Sequence, residues 1–517
     1  MPRRGTIEET TPIHRLSVVC GFLAAAVLLC FFAIFIFHVA EAADFDRKAW
    51  QEDYAYLKTA LQQNYANLAW FGSPQGGVDL PALDLSTQKE LAQAETDKDA
   101  RAAILAFVAG FHDGHFSRLA SIRPGDPVTA NAAPPTPGNV DAVADCTAVG
   151  YAAITTAQFS LPLESLSGFR LETDEGPQVF RAGVFTNAQG SRLGVVRIQK
   201  FDPHDYPSLC VRVWTAIKQS GKLVDTSALR QRIRTKWFEV LAAQLRRFQS
   251  EHVNAVIVDV GDNSGGGDEG DWTPRLFSDH PVHSARLLMA ATPAASAYFD
   301  EQLSNLHKAV DGRANSNPEL VSAAKSAVSE FEKRKAAIGS MICDMSWVWH
   351  DRRPWNPSGC SRLTEAGFAS GAVNYMAAGA ASDHDLASAV YWPSNVDLYR
   401  GVWSGPVYVL TDAKTYSAAE MFAAVMHDNG IAKLVGSRTG GDGCGFMHND
   451  PPTVLPHSQL RFRVPDCVRL RADGTDEVAG IQPDLAVQRT EGEDGGALAL
   501  HIFDAVQGDL HAKGGDH

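Results

Sequence analysis

The chain has 517 residues, 45% of them hydrophobic and 21% charged, and its 60 acidic against 46 basic side chains leave a net charge of −14. These are globular proportions, which exclude collagen, coiled coil and disorder. The acidic balance, without a basic patch of any length, argues against nucleic acid as a partner, and the length allows two to four domains at roughly 100–200 residues each.

Residues 1–43 stand apart. Leu16 to Phe37 carries no charge, with Arg3, Arg4 and Arg15 before it and Glu41, Asp44 and Asp46 after it. As a helix at about 1.5 Å per residue this run reaches across a hydrocarbon layer of ~30 Å, and the arginines place its amino end in the cytoplasm. The segment is expected to be a signal anchor or signal peptide. The remainder is then exported, facing the periplasm or cell exterior and tied to the membrane through this segment. Ala40-Glu41-Ala42 offers a cleavage site that would instead release it.

Six cysteines follow: Cys146, Cys210, Cys343, Cys360, Cys444 and Cys467. An even number in an exported chain suits disulfides, and proximity favours Cys343–Cys360 and Cys444–Cys467. Trp50, Tyr54, Leu57, Leu61 and Tyr65 recur at helical spacing, and a second helical pattern covers Asp99 to Phe111, so residues 44–120 are expected to form a helical unit. A proline-rich linker and a small β-rich segment occupy 121–190. Within and after them, Val179–Phe185 and Leu193–Ile198 read as strands.

Residues 191–290 are expected to hold the first half of an α/β domain. A helix from Ser227 to Gln249 leads into Ala255-Val256-Ile257-Val258-Asp259-Val260, a continuous apolar run suited to a strand buried on both faces. Residues 291–400 read as a helical insertion. The second half, 401–495, contains the strand Val407–Leu410, a helix from Ser417 to His427, and strands near Lys433–Val435 and Arg461–Val464; 496–517 is a C-terminal tail.

Four segments carry candidate chemistry. Ser417 follows a buried strand and opens a helix, which exposes its hydroxyl beside backbone N–H groups and the positive helix end; with Glu420 three residues on, it equally fits a capping box. Asp259 to Gly267 is a buried strand running into glycines whose N–H groups could hold an anion, such as the oxygen of a tetrahedral intermediate, although a flexible turn has the same composition. His115, in Phe111-His112-Asp113-Gly114-His115-Phe116, is the base a serine hydroxyl needs; a metal site with His112 and a structural pair are the alternatives. Glu477 to Asp484 is locally a turn entering a strand, and Glu477 matters only if the fold brings it to the histidine.

These four motifs, in this order, resemble the C-terminal processing, or tail-specific, serine protease family, which includes the tricorn protease core and retinoid-binding repeats. The resemblance covers roughly 44–120, 190–290 and 400–490. It implies a mixed α/β, crotonase-like or ClpP-like catalytic domain with Ser417 as nucleophile and His115 as general base. Glu477 would orient the imidazole, with Ala418 and Gly265 or Gly266 as oxyanion donors. It implies a polypeptide substrate, no metal and no organic cofactor.

Two departures stand out. Members with a Ser/Lys dyad carry lysine in a Thr-x-Gly-Lys-Gly run where this chain has Thr439-Gly440-Gly441-Asp442-Gly443, so the histidine-based, tricorn-like branch is the better match. That branch has a serine before its histidine where this chain has Gly114, and no PDZ pattern is recognisable. The same scaffold without catalysis, holding an apolar ligand or a peptide, is the alternative, as is hydrolysis of non-peptide esters or amides.

Overall fold

The computed structural model describes residues 45–121, 141–151, 157–172, 179–219, 225–311, 317–341, 343–356, 359, 362–377, 383–448 and 451–514. The apolar run expected to act as an anchor lies outside them. Among the described residues no helix is long and apolar enough to cross a membrane.

The N-terminal unit forms because three amphipathic helices share one core. Helices α1 (Arg47–Asn64), α2 (Leu80–Gln93) and α3 (Asp97–Ala109) begin at Asp46, Asp79 and Thr96, whose side chains each accept a first-turn N–H. Their apolar stripes bury Trp50, Tyr54, Leu57, Leu61, Leu91, Ile104 and Phe107. The same core takes in Val348, Trp349, Phe462 and Val478 from distant parts of the chain. The helical unit is therefore docked on the elements that follow it. Past it comes the short strand β1 (Ser117–Leu119).

The central sheet collects β2 (Phe169–Glu172), β3 (Arg181–Thr186), β4 (Arg192–Arg197) and, after helices α4 (Pro207–Gln219) and α5 (Thr226–Ser250), β5 (Ala255–Asp259). Beyond it run β6 (Arg286–Ala290), α6 (Pro293–Val310), α7 (Pro318–Ala337), β7 (Leu363–Phe368), β8 (Val407–Thr411), α8 (Ala418–Asp428) and β9 (Lys433–Gly436). Then come β10 (Thr453–Val454), β11 (Arg461–Arg463), β12 (Cys467–Leu470), β13 (Leu485–Ala486) and α9 (Gly495–Gly514). Seven strands pair in the order β13-β9-β8-β5-β4-β3-β2, parallel from β13 to β4 and antiparallel from β4 to β2. This is the mixed α/β architecture expected.

Strands β5 and β8 lie in the middle of the parallel part, and every residue of both is buried, as continuous apolar runs require. Alternate residues face two cores. Val256, Val258, Val407 and Val409 pack with α5 and α8, whereas Ala255, Ile257, Tyr408 and Leu410 pack under α9 through Ile502, Phe503 and Val506. The 121–190 segment contributes β2 and β3 to this sheet, so the expected boundary at 190 runs through it. The 291–400 segment does hold helices α6 and α7, but its strand β7 joins β6 and β12 in a second, three-stranded antiparallel sheet.

Disulfides Cys444–Cys467 and Cys146–Cys210 are formed. Cys343 is also disulfide-bonded; the expected pair Cys343–Cys360 lies outside the described residues through Cys360.

Candidate active site

Strand β8 ends at Thr411, and the loop that follows delivers Ser417 to the start of α8 with φ 54° and ψ −119°. A positive φ at a non-glycine residue is strained and is held only where surrounding contacts fix it. Here Tyr416 N–H donates to the Asn263 carbonyl at 2.9 Å and Ser417 N–H donates to the Glu420 carboxylate at 3.1 Å. The capping-box glutamate is thus in place, while the Ser417 hydroxyl oxygen lies 3.1 Å from His115 Nε2. The two readings of Ser417 are compatible, because the cap uses its backbone and the histidine its side chain.

His115 reaches this point from the far end of the chain because β1 pairs with β11 and ties the segment to the catalytic half. Its local turn is set by Asp113, which accepts the His115 backbone N–H at 2.8 Å and the Tyr65 hydroxyl at 2.6 Å. Burial pushes the Asp113 carboxyl up, against the pull of His115. The imidazole Nδ1 lies 3.2 Å from the Asp442 carbonyl oxygen. A carbonyl only accepts, so Nδ1 carries the proton and Nε2 presents its lone pair to Ser417.

Glu477 is fully buried, but among the described residues no hydrogen bond joins it to His115. Its carboxylate is taken by Arg469 on β12, whose Nη2 also donates to the Ser417 carbonyl at 3.1 Å and the Gly443 carbonyl at 2.9 Å. The expected direct orientation of the imidazole by Glu477 is therefore replaced by contact through Arg469, with Asp442 O behind the ring. Burial raises the Glu477 carboxyl to about 7 despite Arg469, and raises neighbouring Asp476 to about 8.

The glycine loop after β5 is also rigidly placed. Asp259 accepts from Ser160 N–H, the Ser160 hydroxyl, Arg197 and Gly261 N–H. Asn263 bridges onward, donating to the Ile198 carbonyl and accepting Gly265 N–H at 2.8 Å. That bond commits the Gly265 N–H, which removes it as an oxyanion donor. Gly265 matters sterically instead: at φ +94° its missing β-carbon would stand 2.6 Å from Ser417 Cβ. The N–H groups of Gly266 and Ala418 have no protein acceptor among the described residues. Both residues line a cavity of about 420 Å³ with His115, Ser417 and Phe446.

Glu420, legible in the sequence only as a cap, does more in the fold. Its buried carboxylate accepts from Thr439 Oγ1 (2.6 Å) and from the N–H groups of Gly441 (2.7 Å), Asp442 (2.8 Å) and Gly443 (3.1 Å). It thereby ties the loop carrying Asp442 to the helix carrying Ser417. Asp113, Asp442 and His115 also stand close enough to share a metal ion. The imidazole nitrogens, however, face Ser417 and the Asp442 carbonyl.

Residues 350–487 match the model of peptidase family S41. This stretch is the chain's S41 peptidase match. The matched stretch holds Ser417, Glu420, Asp442 and Glu477, whereas His115 and the glycine loop lie outside it and reach the site only through the fold. The chain shares its fold with mature CPAF complexed with lactacystin, at 16% identity and a TM-score of 0.55, over 89% of this chain and 98% of that one. Mature CPAF itself gives 16% identity and a TM-score of 0.52, over 88% and 95%. No curated protein sequence matches. The chain is a serine peptidase of the tail-specific type.

Proposed function

We propose that this peptidase cleaves peptide bonds through an acyl-enzyme, with Ser417 as nucleophile and His115 as general base. The observation that carries this is the 3.1 Å separation of Ser417 Oγ and His115 Nε2, with Nδ1 backed by a carbonyl. As Oγ attacks the carbonyl carbon, its proton passes to Nε2. The new oxyanion is received by Ala418 and Gly266 N–H, each worth about 3–4 kcal/mol in comparable sites. The imidazolium then donates its Nε2 proton to the leaving nitrogen as the C–N bond breaks. Water, deprotonated by the same nitrogen, releases the acyl group.

Glu477 acts in this scheme through Arg469, holding the carbonyls of Ser417 and Gly443 and so the geometry on either side of the nucleophile. The Asp113 carboxyl group lies 3.8 Å from His115 Nδ1, on the same side of the ring as the Asp442 carbonyl. We also propose that the chain is exported and held at the membrane by residues 1–43, in keeping with its apolar Leu16–Phe37 run and its disulfides.

A fluorophosphonate probe tests the catalytic proposal directly. It should label the wild-type protein and neither Ser417→Ala nor His115→Ala at the same rate, while all three melt together. Equal labelling of Ser417→Ala would remove the nucleophile from this role. For export, the mature protein should fractionate with membranes and lose that association when residues 1–43 are deleted.

A further inference from the structure

The catalytic cavity opens toward a neighbour. Phe446 and Arg463 line it, and the same two residues line a second cavity of about 470 Å³ beside Asn64, Thr292, Ala297 and Pro452. One aromatic ring and one guanidinium therefore form the threshold between the two. Phe446 meets the His115 ring edge-on, with centroids 5.8 Å apart, so the threshold lies one ring away from the proposed base.

Arg463 is on β11, where Phe462 points into the core and its neighbours point out. Its guanidinium carbon stands 3.4 Å from the Phe446 ring centroid. It is exposed, and it makes no ion pair or hydrogen bond through its side chain among the described residues. Stacking uses the flat face of a guanidinium and leaves its N–H edge free for an in-plane acceptor. Asp466, the carboxylate lining the second cavity, already accepts the backbone N–H groups of Met447 (2.8 Å) and His448 (3.3 Å). A stacked arginine with its donor edge unspent, at the exit of the catalytic cavity, fits a carboxylate arriving with the substrate.

We infer that Arg463 is a specificity residue: it receives an acidic side chain of the polypeptide as the chain passes from Ser417 over Phe446 into the second cavity. This rests on the peptidase proposal and names the substrate class as acidic polypeptide segments.

The test is a series of fluorogenic peptides that differ only in carrying Glu, Gln or Lys at one position, scanned along both sides of the scissile bond. The readout is the ratio of kcat/KM for Glu over Gln within each protein. In wild type that ratio should reach about tenfold or more at one position. It should fall to near unity in Arg463→Gln, persist in Arg463→Lys, and give way to a preference for Lys in Arg463→Glu. Absence of any Glu preference in wild type, or a preference that survives Arg463→Glu, overturns the inference. If no peptide is cleaved, the peptidase proposal fails separately. Fluorescence anisotropy of the same peptides on Ser417→Ala protein, with and without Arg463→Glu, then still decides the role of Arg463 by the same ratio.

Discussion

The Asp442 carboxylate accepts the Gly114 N–H at 2.8 Å and stands 2.6 Å from where a β-carbon at position 114 would lie. The two departures from the family pattern, glycine before the histidine and aspartate in place of lysine, are thus in contact and account for each other. Gly114→Ser should cost about 1–3 kcal/mol by overpacking and lower kcat/KM by displacing His115. Pairing it with Asp442→Gly should recover part of both losses. Thermal unfolding and kinetics in a double-mutant cycle measure this coupling; strictly additive losses would show that the two positions are independent.

Glu420 holds the Ser417 N–H and four donors of the 439–443 loop on one carboxylate. Glu420→Gln keeps the shape but turns an NH₂ group toward N–H donors. It should lower stability by about 2–3 kcal/mol and reduce kcat more than it raises KM, because Asp442 O no longer backs the imidazole. Destabilisation with undiminished kcat would mean that the loop does not position His115.

Asp476 is fully buried, and its carboxyl is raised from 3.8 to about 8, first by burial and then by the neighbouring Glu477. A raised acid holds its proton in the folded state after the unfolded chain has released it. Its contribution is present below the unfolded pKa and is lost as pH rises from about 4 to 8. Glu477, at about 7, acts in the same direction. The melting temperature of the wild type should therefore decline between pH 5 and 8, and less steeply in Asp476→Asn, whose Oδ1 can still accept Val478 N–H. Parallel curves for the two proteins would refute the assignment.

The Cys444–Cys467 disulfide closes a loop of 23 residues, and Cys444 follows Gly443 and precedes Gly445, which packs on the His115 ring. Replacing the pair with serines should cost about 3 kcal/mol and slow hydrolysis of an unfolded substrate. The corresponding change at Cys146 and Cys210, neither of which lines the catalytic cavity, should lower the melting temperature with kcat/KM retained. Equal kinetic losses from both pairs would count against a specific role for the first.

Local order was well written in the sequence. The stripe from Trp50 to Leu61 gave α1, the helix expected over Ser227–Gln249 runs from Thr226 to Ser250, and the apolar run from Ala255 became a central strand. Periodicity and continuous hydrophobicity are properties of consecutive residues, so they survive without knowledge of the fold. The meeting of Ser417 and His115 was also legible, because each is a particular residue type in a recognisable local setting.

What tertiary structure alone decided were the partners of those residues. The acceptor behind His115 is a backbone carbonyl, which every residue possesses and no sequence distinguishes. Glu477 is drawn away from the imidazole by Arg469, and Gly265 spends its N–H on Asn263. These outcomes depend on which groups compete for the same donor or acceptor within about 3 Å. That competition is settled by packing between strands and helices far apart in the chain. Sequence determined which chemistry was available, and the fold determined which atoms meet.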